Sequence, residues 1–194
     1  MEKELECLPL CFLPPAFFFE KILSEKQIYI SLGERYKKQT LRNRFSIVGA
    51  NNIQTLTLPV IHPGNYTRVA EIKLDNSENW QMKHQRSIES AYRKAPFFEY
   101  YYHLFEPLFQ KKFALLAELN LDALHTVLKI FNADTQILLS MDYQRTLDIK
   151  QPTSYCPYFQ VFEERHGFMA NMSILDLIFN EGPSAPEFLK ISKP

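Results

Sequence analysis

The sequence has 194 residues, which suits a single domain, and its formal net charge is zero because 22 Lys and Arg balance 22 Asp and Glu. A neutral chain generates no overall field that would draw it to nucleic acid or to an anionic membrane, so any anion site has to be local. Hydrophobic residues make up 46% and charged residues 23%, as in globular proteins with a sizeable core, and aromatic side chains are abundant, with 16 Phe and 10 Tyr.

The first elements in chain order predict a β-α-β unit. The stretch from Leu5 to Leu13 has an extended pattern, Pro14 and Pro15 suit the start of a helix, and the apolar run AFFFEKILSE follows them. A β-rich segment, Gln27–Gly33, then stops at a glycine. We therefore expect two neighbouring parallel strands joined by a helix.

A hairpin and a mostly helical second half are predicted next. The β-rich runs RNRFSIV and IQTLTLPV flank the turn GANN, and EIKLD, residues 71–75, suits a further short strand. The region of about 80–132 has helical periodicity: one helix runs from Trp80 to Arg93, Pro107 should kink or interrupt the next, and Asn120 should N-cap the third. TQILLSM predicts a late strand. The expected fold class is α/β, a mixed sheet with the β-α-β unit and the hairpin, within one domain spanning 1–194.

The stretch YKKQTLRNRFSI, residues 36–47, concentrates positive charge. Its cations Lys37, Lys38, Arg42 and Arg44 fall within eight residues. In a neutral chain such a cluster suits a local anion, such as the phosphates of a nucleotide sugar, coenzyme A or an RNA end. The five glycines are too scattered for a P-loop or a dinucleotide fingerprint, so we expect a donor that arrives already activated.

The segment NMSILDLIFNEG, residues 171–182, predicts a helix that is apolar on nearly all sides and therefore buried, and that ends at Gly182. Its polar side chains before the end share one line: Ser173, Asp176 and Asn180. Two interpretations are open. Either Ser173 and Asp176 form a capping box and Asn180 caps the other end, or the line faces a polar cleft and pairs with the arginines or with a ligand.

His84 is the best single candidate for a general base near neutral pH, although a histidine on a mostly apolar helix face is commonly a core residue. His103 suits a solvated polar stripe. The three cysteines have no metal-binding spacing and no GxSxG motif occurs, so we expect neither a metal site nor a cofactor.

The start of the chain gives an expectation about location. MEKELE is acidic and no small-residue cleavage site follows it, while the apolar run from Cys7 to Phe19 is too short to span a bilayer and is broken by prolines. We expect a cytoplasmic protein without a transmembrane segment.

Three motifs, GERYKKQTLRNRFSI, HQRSIESAYRKAPFFEYY and above all FMANMSILDLIFNEGP, resemble those of the WbqC-like proteins, a bacterial family found in surface-polysaccharide gene clusters. The resemblance extends from about Leu8 to Pro183. It implies a functional role for the residues that match the family's motifs, namely Lys38, Asn43, Arg44, His84, Tyr92, Pro96, Ser173 and Asp176.

One departure from the family concerns the N-terminal motif. Many members begin with a motif like His-x-Pro-x-Tyr-x-x-Pro, and this chain has Leu8 where that histidine would lie. If the missing histidine is the base in other members, this chain either uses His84 instead or is not catalytic.

The resemblance implies a group transferase, aminoacyl or acyl with glycine as one candidate, acting in O-antigen or related surface-polysaccharide synthesis on an activated donor and a sugar-type acceptor. In that hypothesis Arg42 and Arg44 hold donor phosphates, His84 deprotonates the acceptor and Asp176 orients His84 or a guanidinium. The alternative is a non-catalytic binding or assembly module whose aromatic helices form the partner surface. Homo-oligomerisation stays open.

Overall fold

The computed structural model describes residues 7–62, 64, 66–142, 146–149, 151–152 and 156–191, and the side chains up to residue 189. The strands are β1 (Cys7–Pro9), β2 (Gln27–Ser31), β3 (Arg44–Val48), β4 (Ile53–Thr57) and β5 (Gln136–Ser140). The helices are α1 (Ala16–Leu23), α2 (Trp80–Tyr92), α3 (Phe98–Gln110), α4 (Leu116–Ile130), α5 (Glu163–His166), α6 (Ile174–Glu181) and α7 (Ala185–Ile191), with short 3₁₀ turns at Val69–Glu71 and Gly182–Ser184.

The predicted β-α-β unit is confirmed. β1 and β2 pair in parallel with α1 between them, and β5 adds a third parallel strand on the other side of β2. α1 begins directly after Pro15, whose φ of −57° suits a helix start, and it buries Phe18, Phe19 and Ile22. Residues 5 and 6 of the predicted extended segment lie outside the described part of the chain.

The predicted hairpin is also confirmed, and it forms a sheet of its own. β3 and β4 pair antiparallel from Arg44 opposite Thr57 to Val48 opposite Ile53. Phe45 and Leu56 lie opposite each other on the core side and are both buried, whereas Arg44 and Thr57 alternate to the other side. The α/β fold class predicted from the sequence is therefore correct.

Gly33 marks the carboxyl end of β2, where the chain passes close to the residues after β5. A Cβ on Gly33 would overlap the backbone carbonyl of Met141. The backbone amides of Leu32 and Gly33 both donate to the Ser140 carbonyl, at 2.8 and 3.3 Å. Only glycine leaves room for this approach, which explains why the β-rich segment stops there.

The prediction that Asn120 caps α4 is wrong. α4 begins at Leu116, and Glu118 accepts from the Leu115 backbone amide at its start, at 3.3 Å. Asn120 lies inside the helix with no exposed surface, and its Nδ2 donates to the carbonyls of Arg42 (2.8 Å) and Leu10 (3.4 Å). Its amide serves a tertiary contact instead of a helix end.

Two further local predictions concern Pro107 and the segment EIKLD. Pro107 does not interrupt α3, which continues to Gln110, because the buried Leu108 and Phe109 hold its last turn in the core and proline removes only one backbone donor. EIKLD forms no regular strand; Lys73 and Leu74 make single bridges to Leu115 and Val60. Among the described residues no helix has the length and apolar character needed to cross a membrane.

Candidate functional site

A buried ion pair lies at the carboxyl edge of the parallel sheet. Arg42 donates from Nε to Oε1 of Glu34 at 2.9 Å and from Nη2 to Oε2 at 2.6 Å, and the two residues are 6% and 4% exposed. Thr40 and Thr146 complete the network, Thr40 by accepting from Arg42 Nη1 and Thr146 by donating to Glu34 Oε2. Glu34 follows Gly33 directly, so the strand end places this carboxylate and the bidentate pair holds Arg42 in one orientation.

Two buried donors near this pair, Tyr36 Oη and Arg44 Nε, have no partner among the described residues, and the same is true of two nearby acceptors, Asn43 Oδ1 and Asn120 Oδ1. Tyr36 is only 8% exposed; burial raises the pKa of its hydroxyl, and the charges of Arg42 and Arg44 lower it. The phenol therefore keeps its proton at neutral pH. An anion whose oxygen reached these two buried donors would satisfy both of them.

The other predicted residues of the basic stretch have different positions. Lys38 is exposed on the loop before β3. Asn43 is buried, and it joins the two hairpin strands by donating from Nδ2 to the Leu58 carbonyl at 3.2 Å while its own carbonyl accepts from Leu58 N at 2.8 Å. Asn43 thus has a structural role that its place in the motif did not show.

Cys11 lies next to the ion pair but is not a nucleophile at neutral pH. Its burial raises the pKa of the thiol to about 12, against the lowering effect of the Arg42 charge. A thiol with this pKa stays protonated. Leu8 is 2% exposed and belongs to the core.

His84 lies in an aromatic part of the core. Its ring makes edge contacts with Phe45, Trp80 and Phe109 at centroid distances of 5.8, 5.3 and 6.4 Å, and the residue is 5% exposed. Burial lowers the pKa of His84 to about 4, although a hydrogen bond with the Thr57 backbone raises it. His84 is therefore neutral at pH 7, and its Nδ1 has no partner among the described residues.

Asp176 is enclosed by polar side chains that the sequence did not identify. Its Oδ2 accepts from Tyr158 Oη at 2.7 Å and from Gln160 Nε2 at 2.6 Å, and it is 1% exposed. Burial raises the pKa of Asp176 to about 6, while hydrogen bonds from Tyr158, Gln160 and Tyr92 lower it. The predicted pairing with Arg42 or Arg44 is not found: Arg42 is bound by Glu34, and neither arginine is among the described partners of Asp176.

The capping interpretation of α6 is correct for Ser173 only. Ser173 Oγ accepts from Leu175 N at the helix start and donates to the Leu13 carbonyl at 2.8 Å. Its backbone amide donates to Ser46 O, so Asp176 does not close a capping box. Asn180 donates from Nδ2 to the Asp176 carbonyl, one turn earlier, and caps nothing. Every residue from Ile174 to Asn180 is buried, as the apolar pattern predicted.

Tyr92 connects the Asp176 cluster to the hairpin. Its hydroxyl lies against Asp176 and accepts from the Val48 backbone amide at 3.4 Å. Val48 is four residues after Arg44, so the arginine and the Asp176 cluster lie at opposite ends of β3, about 13 Å apart along the strand. The structure thus places the predicted site residues in three separate surroundings: the carboxyl edge, the His84 core and the Asp176 cluster.

Sequence reasoning missed Glu34, Tyr158 and Gln160. Glu34 had a signal, since a carboxylate directly after a strand-ending glycine lies at the sheet edge where α/β proteins bind ligands. Tyr158 and Gln160 had none, because they lie in irregular chain and reach Asp176 only through the tertiary fold. Among the described residues, no group of three or more His, Cys, Asp or Glu side chains could hold a metal ion.

Comparison with known proteins gives two matches. The WbqC-like protein family matches residues 11–156. A protein of Mycobacterium tuberculosis (strain ATCC 25618 / H37Rv), named Uncharacterized protein Rv1507c, is 24% identical over 217 residues, covering 92% of this chain and 94% of that protein. No solved structure matches the chain.

Proposed function

The chain belongs to the WbqC-like protein family, and on that premise we propose that it is a cytoplasmic group transferase, aminoacyl or acyl, of bacterial surface-polysaccharide synthesis. The observation that carries this proposal is the pair of unpartnered donors, Tyr36 Oη and Arg44 Nε, beside the buried Glu34–Arg42 pair. Glu34 and Tyr36 follow β2 directly, at the carboxyl edge where open parallel sheets commonly bind ligands, and the charge of Arg44 acts on Tyr36. A phosphate oxygen would accept from both.

In this proposal the donor's phosphates bind at the edge of the sheet. Arg44 donates to them, Lys38 adds charge from the exposed loop, and Arg42 is a positioning residue because Glu34 already satisfies its guanidinium. Asn43, Ser173 and Asn180 support the hairpin and α6 around the site.

The transfer step requires a base. The acceptor's oxygen or nitrogen forms a bond to the donor's carbonyl carbon, the bond from that carbon to the leaving group breaks, and the acceptor's proton passes to the base. Of the two predicted catalytic residues, Asp176 suits this better than His84, because its pKa of about 6 is nearer to neutral pH than a pKa of about 4. Tyr158 connects Asp176 to a cavity of about 30 Å³ that it lines with Cys156 and Asn171.

The separation along β3 selects a donor class. Arg44 and Val48, whose amide binds Tyr92 of the Asp176 cluster, are about 13 Å apart along β3, and in this proposal the donor's phosphates and its carbonyl group lie near these two residues. A small acyl phosphate does not span that distance, whereas the long arm of an acyl-coenzyme A does. Acyl- or aminoacyl-thioesters of coenzyme A are therefore the donors that we propose first, and glycine is one candidate for the transferred group.

The test is a binding and turnover experiment with acyl-coenzyme A, nucleotide sugars and aminoacylated RNA. We expect one donor class to raise the melting temperature, and Arg44→Gln to weaken its binding about tenfold, since charge-assisted hydrogen bonds are lost. Asp176→Asn should leave binding in place and abolish acceptor-dependent release of the leaving group.

Arg35→Gln is the matched control. Arg35 lies between Glu34 and Tyr36, but its guanidinium stacks 4.6 Å from the ring centroid of exposed Tyr66, away from the pair. Its loss should leave donor affinity unchanged. The proposal is wrong if no donor class stabilises the protein, or if Arg35→Gln weakens binding as much as Arg44→Gln.

A non-catalytic binding module is the second candidate, and one observation favours it. His84 and Asp176, the predicted catalytic residues, are 5% and 1% exposed, so neither presents a free atom to an acceptor at the surface. This function is favoured if a donor binds at Arg44 of the wild-type protein but its leaving group is never released.

A further inference from the structure

A cleft of about 440 Å³ lies between the second half of α2 and the chain that precedes α5. One wall carries Arg86, Ser90, Arg93 and Lys94, and the facing wall carries Val161 and Phe162. The volume is within the range of small-molecule sites. This cleft shares none of these residues with the sheet edge around Arg44.

The cleft concentrates positive charge although the chain as a whole is neutral. Helical spacing places Arg86 and Arg93 two turns apart on the same face of α2, and Lys94 follows. The carboxylate among them, Glu89, is held in place: it accepts from Tyr102 Oη at 3.0 Å and lies 3.5 Å from Arg93 Nη2. Three cations against one carboxylate leave the cleft with two excess positive charges.

The opposite wall is fixed on both sides and does not depend on a ligand for its shape. Gln160, just before Val161, is bound to Asp176 and exchanges two hydrogen bonds with the backbone of Met169, at 2.9 and 2.8 Å. After Phe162, the side chain of Arg165 donates to the Ala50 carbonyl of the hairpin turn at 2.7 Å. This wall of the cleft is therefore preformed, which lowers the cost of binding.

We propose that this cleft binds a phosphorylated ring compound, of the class of nucleotides and sugar phosphates. Arg86, Arg93 and Lys94 hold the phosphate oxygens, and the half-buried ring of Phe162 packs against the base or sugar ring. Arg93 keeps three-quarters of its side chain exposed, so its guanidinium is accessible. The inference does not rest on the transferase activity, because it concerns other residues and requires no turnover.

Calorimetric titration with four probes tests the cleft: inorganic phosphate, a nucleoside diphosphate, a hexose 1-phosphate and an uncharged nucleoside. We expect one of the phosphorylated ring compounds to bind most tightly, inorganic phosphate to bind more weakly, and the uncharged nucleoside not to bind. Arg86→Ala and Lys94→Ala should each weaken the best probe about tenfold. Phe162→Leu should weaken the ring compounds but not inorganic phosphate.

Lys129→Ala is the control, because it removes an exposed lysine of α4 and changes the net charge equally. The affinity of Lys129→Ala for the best probe should equal that of the wild-type protein. The proposal is overturned if none of the three phosphorylated probes binds at millimolar concentration, or if Lys129→Ala weakens binding as much as Lys94→Ala. Arg44→Gln should leave this binding intact, so failure of the cleft and failure of the transferase site are distinguishable.

Discussion

Asp176 and His84 are buried titratable residues, and burial favours the uncharged form of both. For Asp176 this raises the pKa to about 6, and for His84 it lowers the pKa to about 4. Between pH 4 and 6, Asp176 is therefore protonated in the folded protein but ionised in the unfolded chain. Between pH 4 and 6.5, His84 is neutral in the folded protein but protonated in the unfolded chain. The two effects on stability have opposite signs over the same range of pH.

We expect the free energy of unfolding of the Asp176→Asn variant to increase as the pH rises from 4 to 6.5. The stabilisation from the protonated Asp176 is fully present below its ordinary pKa of 3.8 and is lost as the pH rises through 6, about 3 kcal/mol in all. His84 contributes stability above its ordinary pKa of 6.5 that is lost as the pH falls through 4. In the wild type the two contributions oppose each other, and the asparagine leaves only that of His84. Urea unfolding at several pH values measures this.

His84→Gln is the complementary variant. It should lose stability as the pH rises over the same window, because only the Asp176 contribution remains. If the free energy of unfolding of Asp176→Asn depends on pH as that of the wild type does, burial does not raise the pKa of Asp176 and this prediction is wrong.

At the scale of elements, helix ends and strand ends followed their local sequence except where a side chain had a tertiary partner. α1 begins after Pro15, β2 ends near Gly33 and α6 ends before Gly182, as the proline and glycine positions predict. A Cβ on Gly182 would strike the Phe97 ring, and its φ of 54° suits glycine. Asn120 is the exception, since its amide binds the carbonyls of Leu10 and Arg42 and so ties α4 to both chain segments near the sheet edge.

We expect Asn120→Ala to destabilise the protein by about 2 kcal/mol, because two carbonyls lose a buried donor and a small cavity forms. Asp122→Ala on the exposed side of α4 is the control and should change the free energy of unfolding by no more than about 0.5 kcal/mol. Equal effects of the two substitutions in urea unfolding would show that Asn120 has no special role in the core.

At the scale of the whole molecule, the parallel sheet, the hairpin and the helices share one hydrophobic core. Phe12, directly after β1, packs edge-on against Phe45 of the hairpin at 5.3 Å and against Phe109 of α3 at 6.3 Å. Phe179 of α6 contacts Phe98 and Phe105 of α3. The abundant phenylalanines thus join elements that are distant in the sequence.

We expect the chain to unfold in a single cooperative transition, as the single-domain prediction requires. Far-ultraviolet circular dichroism, which follows the helices, and near-ultraviolet circular dichroism, which follows the packed aromatic side chains, should give the same midpoint. Two separate midpoints would mean that the hairpin or the helical region 80–132 unfolds as its own unit, and the single-domain prediction would be wrong.

The amino-acid sequence alone was sufficient to predict the α/β class, the β-α-β start, the hairpin, the helix that begins at Trp80 and the buried helix around Asp176. These follow from apolar periodicity and from proline, glycine and capping positions, which act within a few residues. The fold was needed to show that Arg42 pairs with Glu34 and that Asp176 is held by Tyr158 and Gln160. A buried charge takes whichever polar group the fold brings to it, and that choice depends on contacts between residues distant in the chain.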